Sequence, residues 1–179
     1  MSFLELDNII ELLRKFAHEK ESNLDVLLVG GLALHYYGMK DRSTVDLDAE
    51  VRGDIEGLFA YLKSHKVPSD LGENFSGWSV IAMPPGYRER AVLIRQEPRL
   101  TFKVLSPIDF IHAKLRRFTE EDINDAYFIA KKFKIDAKDI ESTAEEAIRN
   151  SPKDTAIFFF KNNVKIFLGK LMEPTRGQI

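Results

Sequence analysis

The sequence predicts an α+β fold in which a small β-sheet is followed by a group of helices. Up to residue 105, short apolar runs bounded by Gly or Pro alternate with amphipathic stretches, whereas the later chain shows only helical periodicity. Apolar residues make up 44% of the 179 residues, and 13 of these are Phe, so a core can form without disulfides. We therefore expect an α/β core with an N-terminal helix over 1–105, and a helical part packed on it over 106–179.

The first part of the chain alternates between helical and strand patterns. Period-two alternation and short apolar runs mark the strands, and spacings of three and four mark the helices. The predicted elements in order are a helix from Leu6 that ends before Ser22, a strand at Val26–Val29, a helix at Leu32–Tyr37, a strand at Thr44–Val51 and a helix from about Asp54 to His65.

Three further strands and four helices are predicted downstream. The strands are placed at Trp78–Met83, Ala91–Ile94 and Leu100–Leu105. Capping patterns predict helix starts at Ser106-Pro107, Thr119–Asp122 and Ser151–Asp154.

Charge and composition exclude several classes of protein. With 26 basic against 28 acidic residues the net charge is −2, which argues against a protein that coats nucleic acid along its length. Residues 86–117 nevertheless carry eight basic and three acidic side chains, so a localised phosphate partner remains open. Without Cys there is no thiolate metal site or Cys nucleophile. The N-terminus lacks a signal-peptide pattern and no apolar run could span a membrane, so we expect a soluble cytoplasmic protein.

Gly30-Gly31, between a predicted strand and helix, is the first candidate binding element. Glycines let the backbone approach a ligand closely, and a helix that opens behind them directs N–H groups outward. The spacing fits neither the dinucleotide fingerprint nor a GK[ST] phosphate loop. Alone, the pair is a weak signal, because two glycines after a strand more often form a structural turn.

Asp46 and Asp48 are the candidate metal ligands. Two residues apart on a strand, they would project from one face about 6.6 Å apart. Paired carboxylates beside a phosphate cradle suit Mg²⁺ (or Mn²⁺) and metal-assisted phosphoryl or nucleotidyl transfer. The other interpretation is an exposed strand face with alternating acids, which Glu50 continues.

Together these residues resemble the nucleotidyltransferase superfamily. The shared pattern is Gly-Gly, a short helix and then Arg-x-Thr-x-Asp-Leu-Asp at 42–48. Residues 83–90 (Met-Pro-Pro-Gly-Tyr-Arg-Glu-Arg) and 105–125 (Leu-Ser-Pro-Ile-Asp-Phe-Ile-x-x-Lys, then two Asp) are similar to segments of a bacterial branch of small proteins related to abortive-infection toxins. The resemblance spans roughly 25–133. It implies a small mixed sheet flanked by helices, with a C-terminal helical bundle.

The resemblance also implies roles for single residues. Gly30 and Gly31 would hold the triphosphate of an NTP, and Asp46 and Asp48 would bind the metal. Lys114, which lies outside the apolar stripe of its predicted helix, would contact the nucleotide phosphates or else be a solvated surface residue. Arg42 and Thr44 would border the nucleotide.

Two functions follow from the resemblance. The first is transfer of a nucleotidyl group from an NTP to the hydroxyl of an unknown acceptor, which is an RNA end, a protein or a small molecule. A toxin–antitoxin role would fit this branch. Nucleotidyltransferases usually carry a third carboxylate on a neighbouring strand, and Ala91–Ile94 and Thr101–Val104 contain none. The alternative is therefore a catalytically degenerate module that binds nucleotide or a protein or RNA partner, unless Glu50 or Glu89 supplies the missing acid.

The last predicted helix suggests a further contact. Its apolar stripe consists of Ile157, Phe160, Val164, Phe167 and Leu171. Phe158 and Phe159 point off this stripe because successive helical residues are about 100° apart. A homodimer through this helix, or docking of the first helix over it, would bury these two rings.

Overall fold

A five-stranded mixed β-sheet lies at the centre of the first of two units into which the chain divides. The computed structural model describes residues 4–74 and 78–173. The first unit comprises residues up to 77 and 86–106, and the second comprises 78–85 and the chain from 107 onward. The predicted α+β class, with a small mixed sheet flanked by helices, is confirmed.

The sheet has the strand order β3-β2-β1-β5-β4. The central strand β1 is antiparallel to β2 and parallel to β5, while β2 and β3 are parallel and β4 and β5 are antiparallel. The elements of this unit are α1 (Leu6–Glu19), β1 (Leu24–Leu28), α2 (Gly31–Tyr36), β2 (Leu47–Arg52), α3 (Ile55–Ser64), β3 (Ser69–Gly72), α4 (Tyr87–Arg90), β4 (Val92–Glu97) and β5 (Leu100–Val104).

The two faces of the sheet differ in chemistry, because successive strand residues point to opposite sides. One face is apolar and buried, with Val26, Leu28, Ala49, Val51, Phe102 and Val104 at most 1% exposed. Helix α1 contacts β5 and α3 contacts β3, and together they add buried Leu and Phe side chains. The register places the remaining residues on the other side, here called the polar face: Asp25, Leu27, Asp48, Glu50, Arg52, Asp70, Thr101 and Lys103.

The fifth strand is not the one that the sequence predicts. Residues 78–83 form no strand, because Ala82 is held by side chains instead: its N–H donates to Ser151 Oγ at 2.9 Å and its carbonyl accepts from His112 Nε2 at 3.0 Å. The strand is β3, whose Asp and Gly have low strand propensity and which exists through its pairing with β2.

Strand β2 also begins later than predicted, at Leu47 rather than Thr44. Thr44 is buried and its carbonyl accepts from Leu4 N at 3.2 Å, whereas Val45 is 44% exposed. The predicted alternation therefore fails before residue 46. Asp46 occupies the bend just ahead of the strand, and Asp48 lies within it.

The described part of the second unit contains four helices, as the sequence predicts. They are α5 (Pro107–Arg117), α6 (Glu120–Phe133), α7 (Ala137–Arg149) and α8 (Ala156–Met172). The capping box of Thr119 and Asp122 at the start of α6 is confirmed. Helix α8 begins at Ala156, whose N–H donates to Asp154 at 2.7 Å. Within the described ranges, no helix combines the length and apolar character needed to cross a membrane.

Lys114 of α5 is buried, although it lies outside the apolar stripe of its helix. Its side chain is 8% exposed, and its ammonium donates to Asp122 at 3.2 Å and to Asp125 at 2.8 Å. Arg117 also donates twice to Asp122, at 2.7 Å. Burial alone would raise the pKa of Asp122, but hydrogen bonds from Arg117 and Thr119 and the charge of Lys114 hold that pKa well below its usual range. The expectation of a solvated lysine is wrong.

His112 of the same helix is a buried neutral residue. It is 3% exposed, donates to the Ala82 carbonyl and meets the Phe160 ring edge-on at 5.0 Å between centroids. Burial disfavours the charged imidazolium and lowers the pKa of His112 from 6.5 to about 3. The unfolded chain therefore binds a proton in a pH range where the folded chain does not.

We expect this histidine to make the protein less stable as the pH falls from 6.5 towards 3. Between pH 7 and pH 5 its contribution to the free energy of unfolding should drop by about 2 kcal/mol, at about 1.4 kcal/mol per pKa unit. Urea denaturation of the wild type and of His112→Gln at both pH values measures the difference. The variant should lose about 2 kcal/mol less, and His18→Gln, on the exposed side of α1, is the matched control. An unchanged pH dependence in His112→Gln would contradict the assignment.

We also expect Lys114→Met to destabilise the protein by about 3–5 kcal/mol, because two buried carboxylates would lose their counter-ion. Thermal and urea denaturation measure the loss, and Lys161→Met, at an exposed position of α8, is the control. A stability equal to that of the control would show that the cluster does not depend on Lys114.

Candidate functional site

Gly30 and Asp48 lie side by side where β1 ends and β2 begins. The Val29 N–H donates to the Asp48 carbonyl at 3.1 Å, which fixes the two segments together. A Cβ built on Gly30 would lie 1.8 Å from Asp48 Oδ2, far inside van der Waals contact. The φ of Gly30 is −91°, which other residues also adopt. The position therefore requires glycine because of space.

Gly31 and Thr44 make a second close contact beside the first. A Cβ on Gly31 would lie 2.6 Å from Thr44 Oγ1. Thr44 is buried, and its hydroxyl donates to the Asp46 carbonyl at 3.3 Å. The two glycines thus bring the backbone at the start of α2 against the segment that carries both aspartates.

Two side chains at the C-terminal end of α2 hold the helix in this arrangement. The Tyr37 hydroxyl, just after the helix, donates to the Leu105 carbonyl at 2.5 Å. His35 Nε2 donates to the Arg42 carbonyl at 2.5 Å, and the Arg42 guanidinium donates to the Ser43 carbonyl at 2.8 Å. Arg42 therefore lies in a fixed turn between the glycines and the aspartates.

The first unit brings together six of the seven predicted site residues: Gly30, Gly31, Arg42, Thr44, Asp46 and Asp48. The seventh, Lys114, belongs to the second unit and to the buried cluster described above. Asp46 and Asp48 are both half-buried, and the Asp46 carboxylate makes no hydrogen bond or ion pair with any residue that the structure describes.

Asp70 is a candidate site residue that the sequence analysis missed. It lies on β3 directly opposite Asp48 in the parallel register, so both side chains project from the polar face, and Asp70 is exposed. No local pattern marked it, because the strand on which it lies was not predicted. Its relation to Asp48 arises only from strand pairing.

Glu50 also lies on the polar face, two residues beyond Asp48, but its carboxylate is already bound. The Tyr87 hydroxyl donates to it at 2.7 Å, and Arg88 Nε donates to its other oxygen. Burial and the neighbouring Glu50 raise the pKa of Tyr87, so this phenol stays a proton donor. In the segment at 83–90, which the sequence analysis identified, Tyr87 and Arg88 thus bind both carboxylate oxygens of Glu50.

The donor set of the site is suited to a hard cation. Asp46, Asp48 and Asp70 offer only carboxylate oxygens, which Mg²⁺ and Mn²⁺ prefer. Across residues 4–74 and 78–173, no three Asp, Glu or His side chains converge closely enough to hold a metal ion by themselves. A cation here would need additional oxygens beyond these carboxylates.

Comparisons with known proteins identify the family to which the chain belongs. The chain resembles a solved antigenic nucleotidyltransferase-like protein from Paracoccidioides brasiliensis, with 16% identity, a TM-score of 0.46 and coverage of 95% of this chain and 89% of the other. No curated protein matches the sequence. The family described as nucleotidyltransferase of unknown function (DUF6036) matches residues 2–154. The chain belongs to this family of nucleotidyltransferases of unknown function.

Proposed function

We propose that the protein transfers a nucleotidyl group from an NTP to the hydroxyl of an acceptor, with Mg²⁺ or Mn²⁺. The observation that supports this most directly is the contact between Gly30 and the Asp48 carboxylate, where a Cβ would lie 1.8 Å from Oδ2. A side chain at position 30 would displace the Asp48 carboxylate, so the glycine keeps this carboxylate at the start of α2, where the proposal places the metal and the phosphates. Membership of the nucleotidyltransferase family supports the same reaction class.

Each residue of the site has a distinct role in the proposal. Gly30 and Gly31 seat the triphosphate against backbone N–H groups, with Arg42 and Thr44 at the border of the nucleotide. Asp46 and Asp48 are the metal ligands. When bound, the metal would supply charge neutralisation on the phosphates and help to orient them.

The transfer itself is an in-line displacement at the α-phosphorus. The acceptor oxygen forms a bond to this phosphorus, and the bond from the phosphorus to the bridging oxygen breaks, so that pyrophosphate leaves with the electron pair. The proton of the acceptor hydroxyl must go to a base. Asp70 is our candidate for this base because it is exposed and lies opposite Asp48 on the polar face.

The role of Lys114 in binding phosphates stays a prediction from resemblance. Two of its three N–H donors are engaged by Asp122 and Asp125. The bacterial branch, a toxin–antitoxin role and a cytoplasmic location likewise remain predictions, and the identity of the acceptor bears on the toxin role.

We expect Mn²⁺ to bind in the presence of an NTP at least tenfold more weakly to Asp46→Asn/Asp48→Asn than to the wild type, because the variant loses both anionic ligands. Electron paramagnetic resonance titration measures free Mn²⁺. Asp139→Asn, on the exposed side of α7, controls for lost charge. Equal binding by the wild type and the double variant would contradict the site.

Incubation with each labelled NTP and Mg²⁺, together with RNA, protein and small-molecule fractions, tests the reaction. The wild type should label one fraction, and Asp48→Asn should label none. Asp70→Asn should retain nucleotide binding and lose most of the transfer if Asp70 is the base.

A second candidate function is a nucleotide-binding module without turnover. The observation in its favour is that no three metal-ligating side chains converge within the described chain. Nucleotide binding that depends on Asp46 and Asp48, with no labelled product in any fraction, would select this alternative. Its partner would then be a protein or an RNA.

We further propose a homodimer through α8. As the stripe predicts, Phe158 and Phe159 face away from it, at 73% and 65% exposed, and Ile166 and Met172 are 51% and 68% exposed on the same helix. Burying one Phe ring contributes about 1.5–3 kcal/mol to the free energy of association, so a partner surface over these rings would be favoured.

Light scattering should give twice the monomer mass of 20.5 kDa for the wild type and the monomer mass for Phe158→Glu. Phe59→Glu, on α3, is the matched control, and a wild type of 20.5 kDa at high concentration would contradict the dimer.

A further inference from the structure

A polar pocket of about 200 Å³ lies in the first unit, beside the proposed metal ligands. Residues of three strands line it from the polar face: Asp25 and Leu27 of β1, Glu50 and Arg52 of β2, and Lys103 of β5. Arg88 and Glu89 of α4 complete the lining. The activity proposed above assigns no role to this pocket.

The pocket continues the row of side chains that starts at Asp48. Along β2, Glu50 and Arg52 are two and four residues further on, about 6.6 and 13 Å from Asp48 at the backbone. A small molecule held by Arg52 would have to span part of this distance to bring a hydroxyl near the nucleotide that Asp48 is proposed to bind.

The charges of the pocket are mostly satisfied internally. Its lining has three cationic and three acidic side chains. Arg88 is bound to Glu50, and Lys103 lies 3.8 Å from Asp25 in a partly exposed pair. Arg52 is exposed and makes no hydrogen bond or ion pair with any residue in the described ranges. It is therefore the guanidinium of this pocket that remains available to an anionic group.

The composition and size of the pocket restrict what it can bind. None of the lining residues is aromatic, so it offers no face on which a nucleobase could stack. A lining with equal numbers of positive and negative side chains does not favour a polyanionic RNA backbone. The volume is below the range of roughly 300–1,000 Å³ for drug-sized ligands. These properties favour a small, polar and weakly charged molecule.

We propose that this pocket binds the acceptor, and that the acceptor is a small hydroxyl-bearing molecule with one carboxylate or phosphate group. Arg52 receives the anionic group, and Lys103 supports it. The free hydroxyl points towards the α-phosphate of the nucleotide. This inference rests on the proposed nucleotidyl transfer.

Amide chemical-shift titration of the 179-residue protein tests the pocket without NTP. The probes are glycerate, glycerol 3-phosphate and, as the uncharged comparison, glycerol. We expect millimolar binding of at least one anionic probe, with shifts at Leu27, Arg52 and Lys103, and no binding of glycerol at the same concentration. Arg52→Gln should weaken binding at least fivefold, and Lys103→Gln should weaken it less. Arg95→Gln, on β4 outside the pocket, is the matched control and should leave binding unchanged.

The outcomes separate this inference from the proposed function. If Mn²⁺ and NTP bind through Asp46 and Asp48 but neither anionic probe shifts the pocket amides, the acceptor site is wrong and the proposed transfer is unaffected. Transfer of the label only to RNA or protein also overturns the small-molecule acceptor. If the probes bind through Arg52 but no nucleotide binds, the proposed function fails, and the acceptor role fails with it. Labelling of the small-molecule fraction that Arg52→Gln reduces and Arg95→Gln does not supports the inference.

Discussion

The close approach of Gly30 to the Asp48 carboxylate is the constraint on which the candidate site depends. Any side chain at Gly30 would overlap Asp48 Oδ2, and any side chain at Gly31 would overlap Thr44. Removing either glycine would separate α2 from the segment that leads into β2. The arrangement of the aspartates relative to the helix start is thus set by the absence of two side chains, and the anchors at Tyr37 and His35 keep it in place.

The two faces of the sheet have different roles: the apolar face stabilises the fold, and the polar face carries the candidate binding residues. Its apolar face buries aliphatic and aromatic side chains, which is the main source of folding free energy. The polar face can therefore carry a row of charges without contributing to the core. Glu50 shows the cost of burying one of these charges, because both of its oxygens need a donor from α4. The same contacts join α4 to β2 next to Asp48.

In the second unit the polar side chains form buried ion pairs with one another rather than a row along an exposed face. Lys114, Arg117, Asp122 and Asp125 form a buried network in which each charge has a partner of opposite sign. His112 holds an irregular segment through one backbone carbonyl. Lys114, which the family resemblance assigns to phosphate binding, thus belongs to the buried interior of the unit. A buried network of this kind loses much stability when one of its charged partners is removed.

The sequence by itself determined the α+β class, most of the helices and four of the five strands. These features depend on local periodicity, caps and motifs, which neighbouring residues encode. Only the tertiary structure decided that β3 replaces the strand expected at 78–83, and that Asp70 therefore lies opposite Asp48. It also decided that Lys114 is buried and that Glu50 is clamped. Strand pairing and burial depend on residues far apart in the chain, so no local pattern specifies which strands pair or which charge is buried.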